Sequence, residues 1–326
     1  MLPGEDRGRR PSVALVGLGL VLLLVLALTA ATVAAAPGGN GRPKKPTPTP
    51  TNTPVPSPPP SGDPVLVGAG DIASCSSAGD EATANLLDGI AGTVYTLGDN
   101  AYESGTATEF ANCYDPTWGR QKARTRPAPG NHDYNTAGAG GYYGYFGAAA
   151  GDPSKGYYSY DLGAWHIVVL NSNCAVAGGC GAGSPQEQWL RQDLAASAAG
   201  CTLAYWHHPR FSSGEHGSDA TMQAFWQALY DLNADVVLSG HDHDYERFAP
   251  QTPAGAADPA RGIREFVVGT GGRSHYAITT VQPNSEAHND TTYGVLKLTL
   301  HPSGYEWRFV PEAGKTFTDS GSGACH

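Results

Sequence analysis

The chain has 326 residues, 40% of them hydrophobic and 15% charged, with a formal net charge of −10. That apolar content excludes a wholly disordered chain and suits one large domain or two small ones. Residues 1–61 carry six basic and two acidic side chains, leaving fourteen basic and twenty-eight acidic in the rest. So acidic a body is a poor partner for nucleic acid, whose binding rests on neutralised phosphates.

Arg7, Arg9 and Arg10 precede an uncharged run from Val13 to Ala36, rich in Leu, Val and Ala and closed by small residues at Ala34 and Ala36. This is the pattern of a secretory signal with its cleavage site, and the run is also long enough to span a bilayer as an uncleaved anchor. Either way the basic flank stays inside and the body lies outside. Residues 1–36 are therefore an address, the protein is expected to be secreted or extracytoplasmic, and residues 13–36 are its one expected means of membrane attachment. From Pro37 to Pro64, eleven of 28 residues are Pro. Such a stretch buries no apolar surface and favours extended polyproline II, so 37–64 is expected to be a semi-rigid linker. The folded domain is expected over 65–326.

The six cysteines, at 75, 113, 174, 180, 201 and 325, all follow the linker. An even count in an exported domain points to three disulfides, for which fifteen connectivities exist. The pairing expected is Cys75–Cys113, Cys174–Cys180 and Cys201–Cys325: the second closes a tight Gly-rich loop, and the third ties the C-terminus to an internal strand. A zinc finger is excluded because no Cys-x-x-Cys pair occurs.

Short apolar runs predict strands at Val65–Ala69, Thr93–Leu97, Trp165–Leu170, Thr202–Trp206, Val236–Leu238, Glu265–Val268, Val295–Leu300 and Glu306–Val310. Helices are predicted at Glu81–Leu87, Pro185–Ala198 and Asp219–Leu232, the second capped by Ser184 with Pro185 at its first position. The pattern is α/β, and ligands of such folds gather at strand C-termini.

Polar residues end several of these strands. The first closes on Gly70-Asp71, the second on Gly98-Asp99 with Tyr102 three residues later, and Gly130-Asn131-His132 follows. Then come His207-His208-Pro209 and Gly240-His241-Asp242-His243. Each alone is weak, since a Gly-Asp turn is ordinary and a lone His is more often a satisfied polar residue. Together they place two Asp, one Asn, one Tyr and three His in five loops. Oxygen donors mixed with imidazole suit Fe, Mn or Zn, and seven ligands exceed one tetrahedral site but match a bridged pair of metals.

On these motifs the chain resembles the calcineurin-like metallophosphoesterases, and within them the purple acid phosphatases. The matches are Gly70-Asp71-Ile72-Ala73, Gly98-Asp99-Asn100-Ala101-Tyr102, Gly130-Asn131-His132, His207-His208-Pro209 and Gly240-His241-Asp242-His243, in order from about Val65 to Arg247. Most of the superfamily has Asp-x-His in the first motif; here Ala73 stands in the place of that His, and Tyr102 is gained. The purple branch usually has Gly where Ala73 stands, a departure that removes no ligand.

The resemblance implies a four-layer fold, two mixed β-sheets packed as a sandwich and flanked by helices. It implies that Asp71, Asp99, Tyr102 and His243 hold one metal, Fe(III), and that Asp99 bridges to a second (Fe, Zn or Mn) held with Asn131, His207 and His241. His132 and His216 would contact the phosphate, with a solvated loop histidine as the plainer reading of His216. The implied activity is hydrolysis of small phosphate monoesters by a metal-bound hydroxide, with a phosphodiesterase using the same site as the nearest alternative.

A non-catalytic extracellular binding module is a further alternative, weakened because all seven ligands are present. A dinucleotide fingerprint at Gly68-Ala69-Gly70-Asp71-Ile72-Ala73 fails, because Asp71 would repel a pyrophosphate and no helix pattern follows directly. The aromatic, Gly-rich stretch from Gly138 to Tyr160 is expected to be a packed loop with a strand or two, or else a rim over the leaving group. The segment Val268–His275 reads as a plain strand-to-turn, or else as a border of the site, and His166, His288, His301 and His326 read as surface residues. Oligomeric state has no signature in the sequence.

Overall fold

Where an apolar run does not alternate with polar residues, a strand can be stable only if both of its faces are covered. In the computed structural model, which describes residues 62–326, this is how the central strands are used. The expected leader at 1–36 and linker residues 37–61 lie outside the described residues.

One sheet contains β1 (Val65–Ala69), β2 (Thr93–Leu97), β3 (Thr125–Ala128), β11 (Gly294–His301), β12 (Gly304–Pro311) and β13 (Ser320–Ala324), in the order β13-β12-β11-β1-β2-β3. The other contains β4 (Tyr158–Leu162), β5 (Trp165–Val169), β6 (Cys201–Tyr205), β7 (Val236–Ser239), β8 (Tyr245–Phe248), β9 (Arg264–Val268) and β10 (Ser285–Asn289), in the order β10-β8-β9-β7-β6-β5-β4. Strands β1, β2 and β3 are parallel in the first sheet, and β5, β6, β7 and β9 in the second. Both sheets are mixed, because β1 also pairs antiparallel with β11 and β8 with β9.

The helices are α1 (Gly79–Asp88), the single turn α2 (Ala107–Glu109), α3 (Gly140–Phe146), α4 (Pro185–Ala196) and α5 (Gln223–Asp231). The period-2 pleat divides each inner strand between two cores. Trp165, Ile167 and Val169 of β5, Leu203 and Tyr205 of β6, and Val236 and Leu238 of β7 join Leu66, Tyr95 and Leu97 in one apolar cluster between the sheets. Their neighbours Val168, Ala204 and Val237 face outward onto Leu190 and Leu194 of α4 and Phe225, Trp226 and Leu229 of α5. On the opposite side Ala84 and Leu87 of α1 join the inter-sheet cluster's first-sheet members. Each such large side chain contributes about 1.5–3 kcal/mol on burial. The result is the expected layering of two mixed sheets between helices.

The predicted inner strands and helices are present with small shifts at their ends. Ser184 caps α4 as expected, its hydroxyl accepting from the Glu187 N–H at 3.3 Å. The last predicted helix starts later: a 3₁₀ turn at Ala220–Met222, whose Thr221 N–H is accepted by Asp219, precedes α5. The Gly-rich aromatic stretch holds α3 and β4. Tyr142, Tyr143 and Phe146 are buried in the core, which supports the packed reading and excludes a leaving-group rim built from these three.

His166 corrects the surface reading. It is buried on β5 between two carboxylates, Nδ1 at 2.9 Å from Asp161 and Nε2 at 2.9 Å from Asp193. All three disulfides form as expected, with Cα–Cα separations of 4.9 Å for Cys75–Cys113, 5.1 Å for Cys174–Cys180 and 5.5 Å for Cys201–Cys325.

The Asp193 carboxylate, joined by Asp161, holds the His166 imidazole above its ordinary value against the effect of burial. A raised folded-state value means that this clasp stabilises the protein fully below the unfolded value of about 6.5 and less as pH rises through the folded value. His166→Gln should therefore cost about 1.5–3 kcal/mol in urea unfolding at pH 5.5, and the difference from wild type should shrink at pH 9. Replacing Cys201 and Cys325 by Ser opens a link between residues 124 apart and should cost about 2–5 kcal/mol in the same measurement.

Candidate metal centre

Three of the strand ends turn through a backbone conformation that side chains with a Cβ avoid. Asp71 follows β1 at φ 60°, Asp99 follows β2 at φ 51°, and His241 follows β7 at φ 73°. Each such residue costs on the order of 1–2 kcal/mol, which the surrounding loops must offset. Glycine precedes all three because the loops touch there. A Cβ on Gly98 would lie 2.7 Å from His207 Nδ1, and one on Gly240 would lie 2.6 Å from Asp71 Oδ2. Past the strands three more backbone bonds join the two segments, Asp71 N–H to Gly98 O, Ile72 N–H to Asp99 O and Ala73 N–H to Asn100 O. A bridge between Ala73 and Ala101 then carries Tyr102 against the first loop, where its N–H donates to Ala73 O at 2.8 Å. Tyr102 thus arrives beside the position at which an Asp-x-His motif would have its His.

These turns bring all seven sequence-named residues together in two groups. The Tyr102 hydroxyl lies 2.9 Å from Asp71 Oδ1, 3.0 Å from Asp99 Oδ2 and 3.2 Å from His243 Nε2. His207 Nε2 lies 3.0 Å from Asn131 Oδ1, 3.2 Å from His241 Nδ1 and 3.3 Å from Asp99 Oδ2. Asp99 Oδ2 belongs to both groups. Asp71, Asp99, Tyr102, His207 and His243 are buried, while Asn131 and His241 are half-buried.

The donor set fits a pair of cations. One phenolic proton faces three acceptors, so at most one of those short contacts is a good hydrogen bond. His207 Nδ1 is 2.7 Å from Leu97 O and must donate to it, which leaves Nε2 with its lone pair toward the centre in the neutral tautomer. Burial disfavours the His207 imidazolium, but the Asp99 carboxylate overrides this and pushes the group up to about 9. A proton thus offsets carboxylate charge that a cation would otherwise neutralise. For Asp99, burial acts to raise the carboxyl, yet His207 and His132 together hold it below the usual range.

The remaining backbone donors fix the carboxylates. Asp71 Oδ2 accepts from the His241 N–H and Asp99 Oδ1 from the His132 N–H, both at 2.8 Å. Asp133, which the motif reading did not single out, ties two loops through Asn100 Nδ2 and the Gly130 N–H, each at 2.9 Å. Burial first, and then the Asp99 charge, push its carboxyl up to about 7.

Of the two sequence-named substrate residues, His132 is half-buried with Nδ1 2.7 Å from Glu103 O and Nε2 3.9 Å from Asp99 Oδ2. His216 is exposed but not free, since its ring stacks on His241 with centroids 4.4 Å apart. Its N–H donates to Asp242 Oδ1 at 2.7 Å. His208 packs nearby, its Nδ1 2.8 Å from Ser172 Oγ, and burial lowers it to about 4.

Of the two readings of the segment after β9, the structure supports the border of the site. After β9, Ser274 Oγ lies 2.7 Å from His243 Nδ1, and Tyr276 stacks on the His243 ring at 3.9 Å. The Arg273 guanidinium sits 5.1 Å from the Tyr102 ring centroid and pairs with Glu103 at 2.5 Å. The available signal was position: β9 is a parallel strand, and this segment follows its C-terminal end.

Residues 65–245 match the family model described as calcineurin-like phosphoesterase. Purple acid phosphatases 15 and 22 of Arabidopsis thaliana are each 33% identical to the chain, over 104 and 139 residues. The alignments cover 30% and 40% of this chain and 19% and 30% of those proteins, so the chain spans under a third of their length. The solved structure of purple acid phosphatase PPD1 from yellow lupin (Lupinus luteus) seeds superposes with a TM-score of 0.62 at 19% identity, covering 80% of this chain and 54% of that one. At that identity the likeness is one of fold.

If His243 is a ligand, Ser274 orients it. Ser274→Ala should weaken Zn²⁺ or Mn²⁺ binding to the metal-stripped protein by about 10–100-fold in calorimetric titration, and Asp99→Ala should remove it. Unchanged affinity in both variants would exclude this centre.

Proposed function

The chain belongs to the calcineurin-like phosphoesterase family, and from that premise we propose that it is an exported two-metal phosphatase of the purple acid type, acting on small phosphate monoesters. Residues 65–326 would be its catalytic domain, behind a leader at 1–36 and a linker at 37–64. Three disulfides support an oxidising compartment. Among the described residues no helix is long and apolar enough to cross a membrane.

The observation that carries this reading is the convergence of Asp71, Asp99 and His243 on the Tyr102 hydroxyl within 3.2 Å. Asp71, Tyr102 and His243 would hold Fe(III), a hard ion suited to phenolate and carboxylate oxygens. Asn131, His207 and His241 would hold Fe, Zn or Mn, with Asp99 shared. Such a pair supplies Lewis acidity toward a phosphoryl oxygen and a nucleophile at neutral pH.

The chain's own groups do the rest. Leu97 O and Ser274 Oγ fix the rings of His207 and His243, so neither reorients as substrate arrives. Glu103 O accepts from His132 Nδ1–H, which turns Nε2 toward the centre, and in the imidazolium form that nitrogen would donate to a phosphoryl oxygen. His216, held over His241 by its N–H bond to Asp242, is accessible to solvent and would give a proton to the departing alkoxide.

The test combines metal analysis, a visible spectrum and hydrolysis of 4-nitrophenyl phosphate. Iron, a broad band that disappears in Tyr102→Phe, and loss of turnover to background in His243→Ala are expected. A colourless active protein holding two Mn or Zn would retain the phosphatase and remove the iron assignment. A metal-replete protein with no esterase activity would overturn the reading.

A further inference from the structure

A cleft of ≈ 420 Å³ adjoins the metal centre. Asn131 and His208 line it, and both also belong to the centre's surroundings: Asn131 Oδ1 is 3.0 Å from His207 Nε2, and the His208 ring is 4.4 Å from that of His241. The volume lies within the range of sites for small organic ligands. We infer that this cleft receives the alcohol half of the substrate, and that it selects uncharged, hydroxyl-rich alcohols of the sugar or polyol kind. The inference rests on the phosphatase reading above.

Three features of the cleft argue for that class. First, its lining contains no Asp, Glu, Lys or Arg; apart from the His208 imidazole its polar side chains are mainly amides and hydroxyls, among them Asn135, Asn173, Tyr134 and Thr221. Amides and hydroxyls both donate and accept, which is the complement of a polyol's hydroxyls, whereas a carboxylate or second phosphate would be desolvated without a cation. The guanidinium that touches the centre, Arg273, is engaged with Glu103 and Tyr102 and lines no part of this cleft.

Second, the far wall is held in place. Cys174 and Cys180 are joined, and Asn173 Nδ2 reaches Asn171 Oδ1 at 3.0 Å and Pro129 O at 3.4 Å. Pro129 immediately precedes the Gly130-Asn131 turn, so wall and centre keep a fixed distance, as recognition of one half of an ester requires. Third, the wall also offers carbon. Ala175 and Val176 line the cleft, and Val176, at 55% exposure, is one of two large apolar side chains left open to water among the described residues. A sugar presents such a surface with its C–H face.

Matched substrates test the inference on the metal-loaded protein. Glycerol 3-phosphate against 3-phosphoglycerate, and glucitol 6-phosphate against 6-phosphogluconate, differ by a CH2OH against a carboxylate on the alcohol. The neutral member of each pair should show about tenfold higher kcat/KM. Val176→Lys and, separately, Thr221→Lys should lower KM for the anionic member and narrow that ratio by about tenfold. A ratio near one or reversed in wild type, or one that neither lysine changes, overturns the subsite while leaving the phosphatase intact. No turnover of the four esters by protein that still hydrolyses 4-nitrophenyl phosphate likewise overturns the subsite, whereas no turnover of 4-nitrophenyl phosphate either would overturn the phosphatase reading itself.

Discussion

One carboxylate oxygen joins the two halves of this site. Asp99 Oδ2 is 3.0 Å from the Tyr102 hydroxyl and 3.3 Å from His207 Nε2. Asp99 comes from the first sheet and His207 from the second, so that oxygen can serve both groups only while the sandwich keeps its spacing. The apolar cluster between the sheets sets that spacing, with Leu97 at the end of β2 and Tyr205 at the end of β6 both inside it. The Leu97 carbonyl then reaches across to His207 Nδ1. Core packing and site geometry are thus continuous, and a cavity opened beneath the strand ends would be felt as displaced donors as well as lost stability.

What could be read from the sequence follows from burial. Strands such as β1, β2, β6 and β7 are covered on both faces, so they appear as unbroken apolar runs. The strands given no range in advance include every edge: β13 and β3 flank one sheet, β10 and β4 the other, and of these only β4 was anticipated at all, as a strand somewhere in the aromatic stretch. An edge strand needs only one ladder and tolerates polar or small residues, as Ser285-Glu286-Ala287-His288-Asn289 and Ser320-Gly321-Ser322-Gly323-Ala324 show. A proline such as Pro127 is foreign to a central strand, yet at a sheet edge its missing N–H costs no ladder bond. β8 was hidden differently. Its Glu246 and Arg247 are charged but satisfied, Glu246 by Ser213 and Ser285, Arg247 by Asp319 and Glu286.

The site divides in the same way. Seven residues were legible because each stands in a short motif at or just beyond a strand end, and the fold brings them within contact. Ser274, Tyr276 and Asp133 were not, because they act through a ligand-bearing residue or its loop. A serine that steadies an imidazole has no spacing of its own to detect. His166 failed in the opposite sense, since lack of motif context was taken for exposure, whereas two carboxylates far apart in sequence bury it.

The bond between Cys201 and Cys325 has a mechanical meaning. Residue 325 directly follows the edge strand β13, while residue 201 begins β6, an inner strand of the other sheet that leads to His207. A pull on the C-terminus would otherwise peel β13 from β12 one rung at a time, the weakest way to load a sheet. Through the disulfide the load passes instead along the axis of β6 and is shared by its neighbours β5 and β7, which must yield together. Reduction would turn that end of the protein from a clamp into a zipper.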